Sequence, residues 1–268
     1  MPQLRPILAD AARIYRKHFM RIVKCIMLLI TMITLSSLNT LQAQPPVQAD
    51  VPPAAKVEVA QPKGPPQATP EKFEKEIAKF EAQDKLEPPV KNGIVFVGSS
   101  SIRLWPVKVS FPNRTILNRG FGGSITKDVN HFFDRIITPY EPQVIVYYAG
   151  DNDIGKGASA KAVVEDTELF ADKVHKLWPQ TVILYLPIKP SIKRWNSWNV
   201  IQETQRALQD YAHKNPHFIY VDVATPMLKS DGTPDETLYV KDGLHMTPKG
   251  YTIWTDLVEA QLQKYARP

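Results

Sequence analysis

Apolar and polar positions along this chain alternate between two rhythms. Short, mainly apolar runs, Ile94-Val95-Phe96-Val97, Thr115 to Asn118, Gln143 to Ala149, Thr181 to Leu186 and Phe218 to Val221, read as strands, the first and third of them buried. Between them the apolar positions recur every third or fourth residue. This spacing predicts helices over Thr126 to Ile137, Ser159 to Leu177, Asn199 to Lys214 and Thr247 to Tyr265. Thr247 is a suitable cap for the last of these, with Pro248 in its first turn. A further helix starts at Pro70, where Phe73, Ile77 and Phe80 share one face, and is expected on the outside of the domain. The β-α-β-α alternation predicts an α/β fold: three layers, α/β/α, around a flavodoxin-like, mostly parallel sheet of about five strands.

The first seventy residues follow neither rhythm. Met20-Arg21-Ile22-Val23-Lys24, an apolar run from Cys25 to Leu35 and the small residue Ala43 have the layout of a secretory signal. The apolar run is shorter than the roughly 20 residues that span a bilayer, so residues 1–43 are expected to be a cleaved signal and the protein exported, periplasmic or secreted. An N-terminal membrane anchor is the alternative, and Met20 is an alternative start. Residues 44–70 hold eight prolines and read as an extended linker, leaving 71–268 as the folded domain.

Charge changes the picture less than its total implies. The formal net charge is +6, but Arg5, Arg13, Arg16, Lys17, Arg21 and Lys24 stand in the leader against Asp10 alone, leaving 27 basic and 26 acidic side chains beyond residue 43. No basic stripe with interleaved aromatics remains, and nucleic acid is not an expected partner. The single cysteine, Cys25, lies in the leader, so the domain has neither disulfides nor cysteine-ligated metal.

The candidate chemistry stands where strands end. Gly98-Ser99-Ser100-Ser101 follows the first strand, at a position where an open α/β sheet presents side chains to ligands, and the residues alone leave three serines open as nucleophile. Gly120-Phe121-Gly122-Gly123 follows the second strand and Gly150-Asp151-Asn152-Asp153 the third. Asp242-Gly243-Leu244-His245 precedes the last helix, at a spacing that lets the carboxylate reach the imidazole Nδ1–H and leave Nε2 free to accept a proton. Asp151 and Asp153 are expected to pin their loop rather than bind metal. His131, His175, His213 and His217 read as surface or packing residues, and Trp105 and Trp254 as core. Trp195 and Trp198, with Lys189, Lys193 and Arg194, form a polar stretch on the ligand-binding edge, where the rings can stack on sugar faces or cover the rim of the fold.

These four blocks, in this order, resemble the SGNH hydrolases, the GDSL-type esterase family, over about residues 90–266. The resemblance implies Ser100 as nucleophile, His245 as base and Asp242 as its orienting acid. It implies an oxyanion hole from the N–H groups of Ser100 and Gly123 and the amide of Asn152, and no cofactor. Ser99 departs from the family pattern, which often has aspartate there. The function expected is an exported ester hydrolase that removes small acyl groups such as acetyl from carbohydrate, with Trp195, Trp198 and Arg194 touching substrate. The alternatives are a lysophospholipase or thioesterase on the same scaffold, or a silent glycan-binding module.

Overall fold

The computed structural model describes residues 66–266. The expected signal segment and most of the expected linker lie outside the described residues. Five strands, β1 (Ile94–Gly98), β2 (Ile116–Gly120), β3 (Val144–Tyr148), β4 (Val182–Tyr185) and β5 (Phe218–Tyr220), form one sheet in the order β2-β1-β3-β4-β5, and all four pairings are parallel. A parallel sheet requires crossovers that cover its faces. The helices are α1 (Pro70–Leu86), α2 (Ser100–Arg103), α3 (Val107–Ser110), α4 (Thr126–His131), α5 (Phe133–Ile136), α6 (Asp151–Gly155), α7 (Ala160–Leu177), α8 (Trp198–Lys214) and α9 (Pro248–Tyr265).

Because strand side chains alternate in direction, the sheet feeds two cores. Phe96, Val146, Tyr148 and Leu184 pack on one face with Trp105 and with Tyr251, Trp254 and Val258 of α9. Val95, Val97, Ile145, Tyr147, Ile183 and Tyr185 pack on the other with Phe73 and Ile77 of α1, Phe133 of α5, Phe170 and Val174 of α7 and Leu208 of α8. This is the three-layer architecture expected from the sequence. Trp105 and Trp254 are core residues, and Trp254 donates its indole N–H to the Met227 sulfur.

Two local expectations change. The helix expected over 126–137 is two pieces that meet at Phe132. Phe132 has φ −88° and ψ 7°, which ends the first regular turn run while keeping both Phe132 and Phe133 buried. β2 runs on from Asn118 through Arg119 to Gly120, because Arg119 is paid for by partners: its Nε donates to Tyr140 Oη at 2.7 Å and its terminal nitrogen pairs with Asp84 of α1. A buried guanidinium needs such partners. They also tie α1, the outermost helix in sequence, to the edge strand.

The order β2-β1-β3 places the reversal of winding between β1 and β3. The carboxyl ends of strands diverge there, and ligands bind in open α/β sheets at that crevice.

Candidate active site

β1 ends in Gly98 at φ 139°, hard against its neighbour: a Cβ there would stand 1.8 Å from the Tyr148 carbonyl oxygen. Only glycine lets the chain leave the sheet at this point. It turns at once into α2, with Ser99 and Ser101 buried and Ser100 half-buried. Ser101 faces the interior, where its Oγ accepts a hydrogen bond from Lys189 Nζ at 3.2 Å and its carbonyl accepts one from Tyr251 Oη at 3.0 Å. The serine left facing the crevice is Ser100.

The Asp242–His245 turn comes to it from the far end of the chain. Tyr239 and Met246 bridge at its base, Val240 N–H donates to the His245 carbonyl at 2.9 Å, and Gly243 takes φ 67° at its apex. Asp242 Oδ1 accepts the backbone N–H groups of Leu244 (2.8 Å) and His245 (2.9 Å), which leaves Oδ2 2.5 Å from His245 Nδ1. His245 Nε2 then lies 3.0 Å from Ser100 Oγ. Burial pushes the Asp242 carboxyl up, but those backbone donors and the imidazole outweigh it and hold the group at about 2. The arrangement holds a permanent carboxylate, an imidazole and a hydroxyl in line.

The donors gather from two further strand ends. Asn118 locks the end of β2 to α2: its Nδ2 donates to the Ile102 carbonyl at 2.8 Å and its Oδ1 accepts from Gly120 N–H at 2.9 Å. The chain then passes Phe121, packed edge-on to Phe73 of α1, to Gly123 at φ 84°. The N–H groups of Ser100 and Gly123 have no acceptor among the described residues. Asn152, in the first turn of α6 after Gly150, donates one amide hydrogen to the Ser124 carbonyl at 2.9 Å, which leaves the second free. Lys72 of α1 also reaches this loop, its Nζ 3.4 Å from the position a Cβ on Gly123 would take.

Asp151 and Asp153 both point inward. Asp153 accepts Thr126 N–H at 3.0 Å and the Thr126 hydroxyl, so it binds α6 to the start of α4. Its burial raises the carboxyl to about 6 despite those bonds. Asp151 takes Lys189 Nζ on Oδ2 at 2.8 Å and Arg194 Nε on Oδ1 at 3.0 Å.

Lys189, which the sequence places in a polar stretch on the ligand-binding edge, is fully buried, held by Asp151, by Ser101 and by Tyr148 Oη at 3.0 Å. Sequence reasoning missed this cluster. The available signal was the apolar stretch around Lys189, Leu186-Pro187-Ile188, which is buried throughout. Trp195 and Trp198 are half-buried and stacked on each other, ring centroids 5.1 Å apart at 23°. His175 and His217 pack together near the start of β4, His175 Nε2 lying 3.2 Å from the Thr181 carbonyl, while His131 and His213 are exposed. Among the described residues no group of three His, Cys, Asp or Glu side chains is placed to hold a metal, and no helix is long and apolar enough to cross a membrane.

The family described as GDSL-like Lipase/Acylhydrolase matches residues 103–253. The match starts just after Ser100 and takes in Gly123, Asn152, Asp242 and His245. Similar solved structures include a Streptococcus pneumonia protein provisionally described as a platelet activating factor, 24% identical, with 72% of this chain and 93% of that chain covered and a TM-score of 0.64. A Bacteroides fragilis protein provisionally described as an acylhydrolase is 22% identical over 69% of this chain and 95% of its own, TM-score 0.60. A GDSL-like lipase from Bacteroides thetaiotaomicron is 20% identical over 72% and 97%, TM-score 0.59. At these identities the likeness is one of fold. No curated protein matches the chain.

Proposed function

Because the chain belongs to the GDSL-like lipase/acylhydrolase family, we propose that it is an ester hydrolase in which Ser100 is the nucleophile, His245 the general base and Asp242 the residue that orients it. One observation carries the reading: His245 Nε2 is 3.0 Å from Ser100 Oγ while Nδ1 is held by Asp242. Ser100 Oγ attacks the ester carbonyl and passes its proton to His245 Nε2. The carbonyl oxygen becomes an oxyanion facing the N–H groups of Ser100 and Gly123 and the free amide hydrogen of Asn152. Collapse of the tetrahedral adduct breaks the ester C–O bond, and His245 returns the proton to the departing alcohol. A water then repeats the sequence on the acyl-enzyme, releasing the acid and regenerating Ser100. Asp242, ionised throughout, accepts the Nδ1–H and stabilises the imidazolium formed in each step.

For the substrate we propose small acyl groups, acetyl first, carried on carbohydrate outside the cytoplasm. Support comes from the stacked Trp195–Trp198 pair, a few residues beyond the Ile192–Lys193 segment that contacts Gly243, and from the signal-like layout of residues 1–43. A second reading has its own observation. Ile192 packs on Gly243 and Val240 joins His245, and both remain more than 40% exposed, an apolar flank suited to a longer acyl chain.

Two experiments test the proposal. A fluorophosphonate should label the full chain on the peptide containing Ser100, and absence of any adduct would favour a binding module. A series of chromogenic esters of increasing acyl length, followed by acetylated polysaccharide, separates the two substrates: turnover should be greatest for acetyl, and a maximum at long chains would replace the carbohydrate reading with the lipid one.

A further inference from the structure

The turn carrying Asp242 and His245 is poorly buried for so exacting a position, its two side chains being 40% and 30% exposed. Its internal bonds define its shape, and the Tyr239 hydroxyl on the Pro190 carbonyl fixes its base rather than its apex. Among the described residues, the only backbone-to-backbone hydrogen bond from Val240–His245 to a distant element runs from Lys193 N–H to the Gly243 carbonyl, at 3.0 Å. Ile192 lies against Gly243 beside that bond. The next residue, Arg194, points the other way. Its Nε bonds Asp151, and its guanidinium lies over Gly155 so closely that a Cβ there would be 2.4 Å from Cζ.

Asp151 in turn is anchored to Lys189, which holds Ser101, the neighbour of Ser100. A closed circuit results: Ser101, Lys189, Asp151, Arg194, the Lys193–Gly243 bond, His245 and Ser100. The links differ in kind. Lys189 and Asp151 are buried and locked by several partners each, and the Tyr239 hydroxyl holds the base of the turn to the Pro190 carbonyl, whereas Arg194 is the side chain that ties the 192–194 segment, which grips the apex of the turn, back to Asp151.

We infer that Arg194 is a positioning residue for His245: clamped between Asp151 and the bare face of Gly155, it fixes the 192–194 segment and, through Lys193 N–H and Gly243, sets the distance from Nε2 to Ser100 Oγ. This goes beyond the expected contact of Arg194 with substrate and rests on the Ser100–His245 reading proposed above. Burial pushes the Asp151 carboxyl up, but Lys189 and Arg194 together hold it below the ordinary range, so the anchor stays ionised at neutral pH. Gly155 has no positive φ to require glycine. The guanidinium resting on it accounts for the missing side chain.

The test uses p-nitrophenyl acetate and the full chain. Arg194→Ala should lower kcat about 10²-fold, the usual cost of a reacting group displaced by around 1 Å, with KM little changed. Gly155→Ala should reproduce the loss from the opposite side by displacing the guanidinium, and the double variant should cost no more than either single change, because both break the same link. Millimolar guanidinium should restore part of kcat in Arg194→Ala, whose site is vacated, and none in Gly155→Ala, whose methyl fills it. Fluorophosphonate titration counts intact active sites and separates this effect from unfolding. Unchanged kcat in Arg194→Ala overturns the inference, and so does a raised KM with kcat intact, which would return Arg194 to substrate contact. If Gly155→Ala does not fold, guanidinium rescue of Arg194→Ala decides alone, and its absence counts against the clamp. Ser100→Ala, run alongside, distinguishes the two levels: if it stays active, the hydrolase reading and the clamp fall together, whereas an inactive Ser100→Ala beside a fully active Arg194→Ala removes the clamp only.

Discussion

His245 Nε2 stands 3.0 Å from Ser100 Oγ although 145 residues separate them in the chain. Ser101, adjacent to Ser100, turns its own hydroxyl the opposite way, onto Lys189. Replacing Ser100 with alanine should therefore lower kcat on a chromogenic ester by on the order of 10⁴–10⁶, as loss of a triad nucleophile does elsewhere. Ser101→Ala should instead cost about 1–3 kcal/mol of stability, because it strips one partner from a buried ammonium, and should retain most of the turnover. The reverse ranking would reassign the nucleophile.

Asp242 carries two duties on two oxygens. Oδ1 receives two backbone N–H donors, so an asparagine must put its oxygen there and turn its NH₂ toward His245 Nδ1. That drives the imidazole into the tautomer with its proton on Nε2, where it cannot accept one from Ser100. Asp242→Asn should lose about 10⁴ in kcat with the turn intact. Steady-state kinetics and a crystal structure of the variant check the two halves, and wild-type turnover would show that the carboxylate is dispensable.

Asn152→Ala should reduce kcat by roughly 10²–10³ while leaving KM within a few-fold, since an oxyanion donor acts mainly after the carbonyl oxygen gains charge. Its remaining bond to the Ser124 carbonyl is a structural contribution, visible separately as a small fall in the urea midpoint. An equal loss in KM alone would mean that the amide binds ground-state substrate.

Asp153 should make stability depend on pH in the opposite sense to a paired carboxylate. Its group titrates at about 6 when folded, because of burial, against an ordinary 3.8. Its contribution is therefore favourable below pH 4 and is lost as pH rises through about 6, amounting to on the order of 3 kcal/mol. Urea unfolding of wild type and Asp153→Asn between pH 4 and 8 tests this. The difference between them should move in favour of the wild type as pH falls from 7 to 4.5, and a pH-independent difference would refute it.

Much of the architecture was legible as pattern. Unbroken apolar runs such as Val144–Tyr148 announce strands covered on both faces, and the regular spacing across α7 and α9 announces the helices that cover them. The break at Phe132 was not legible, because the residues on both sides of it are apolar and either a continuous helix or a kinked one buries them. The site was legible to the extent that its residues sit in local blocks at strand ends. Lys189 is legible only in half: the apolar residues just before it signal burial, but its partner Asp151 is 38 residues away on another strand end, and nothing local names that carboxylate.

The sequence by itself determined the kind of fold and the four blocks that hold the candidate site residues, since both depend on apolar periodicity and on residue types that act within a few positions of one another. It also bound Asp242 to His245, three residues apart in one turn. Only the tertiary structure put the Ser100 hydroxyl, rather than that of Ser101, within reach of His245, buried Lys189 against Asp151 and set Arg194 on Gly155. Each of those outcomes depends on which strand ends the parallel crossovers bring side by side, a property of the folded sheet that no single segment carries.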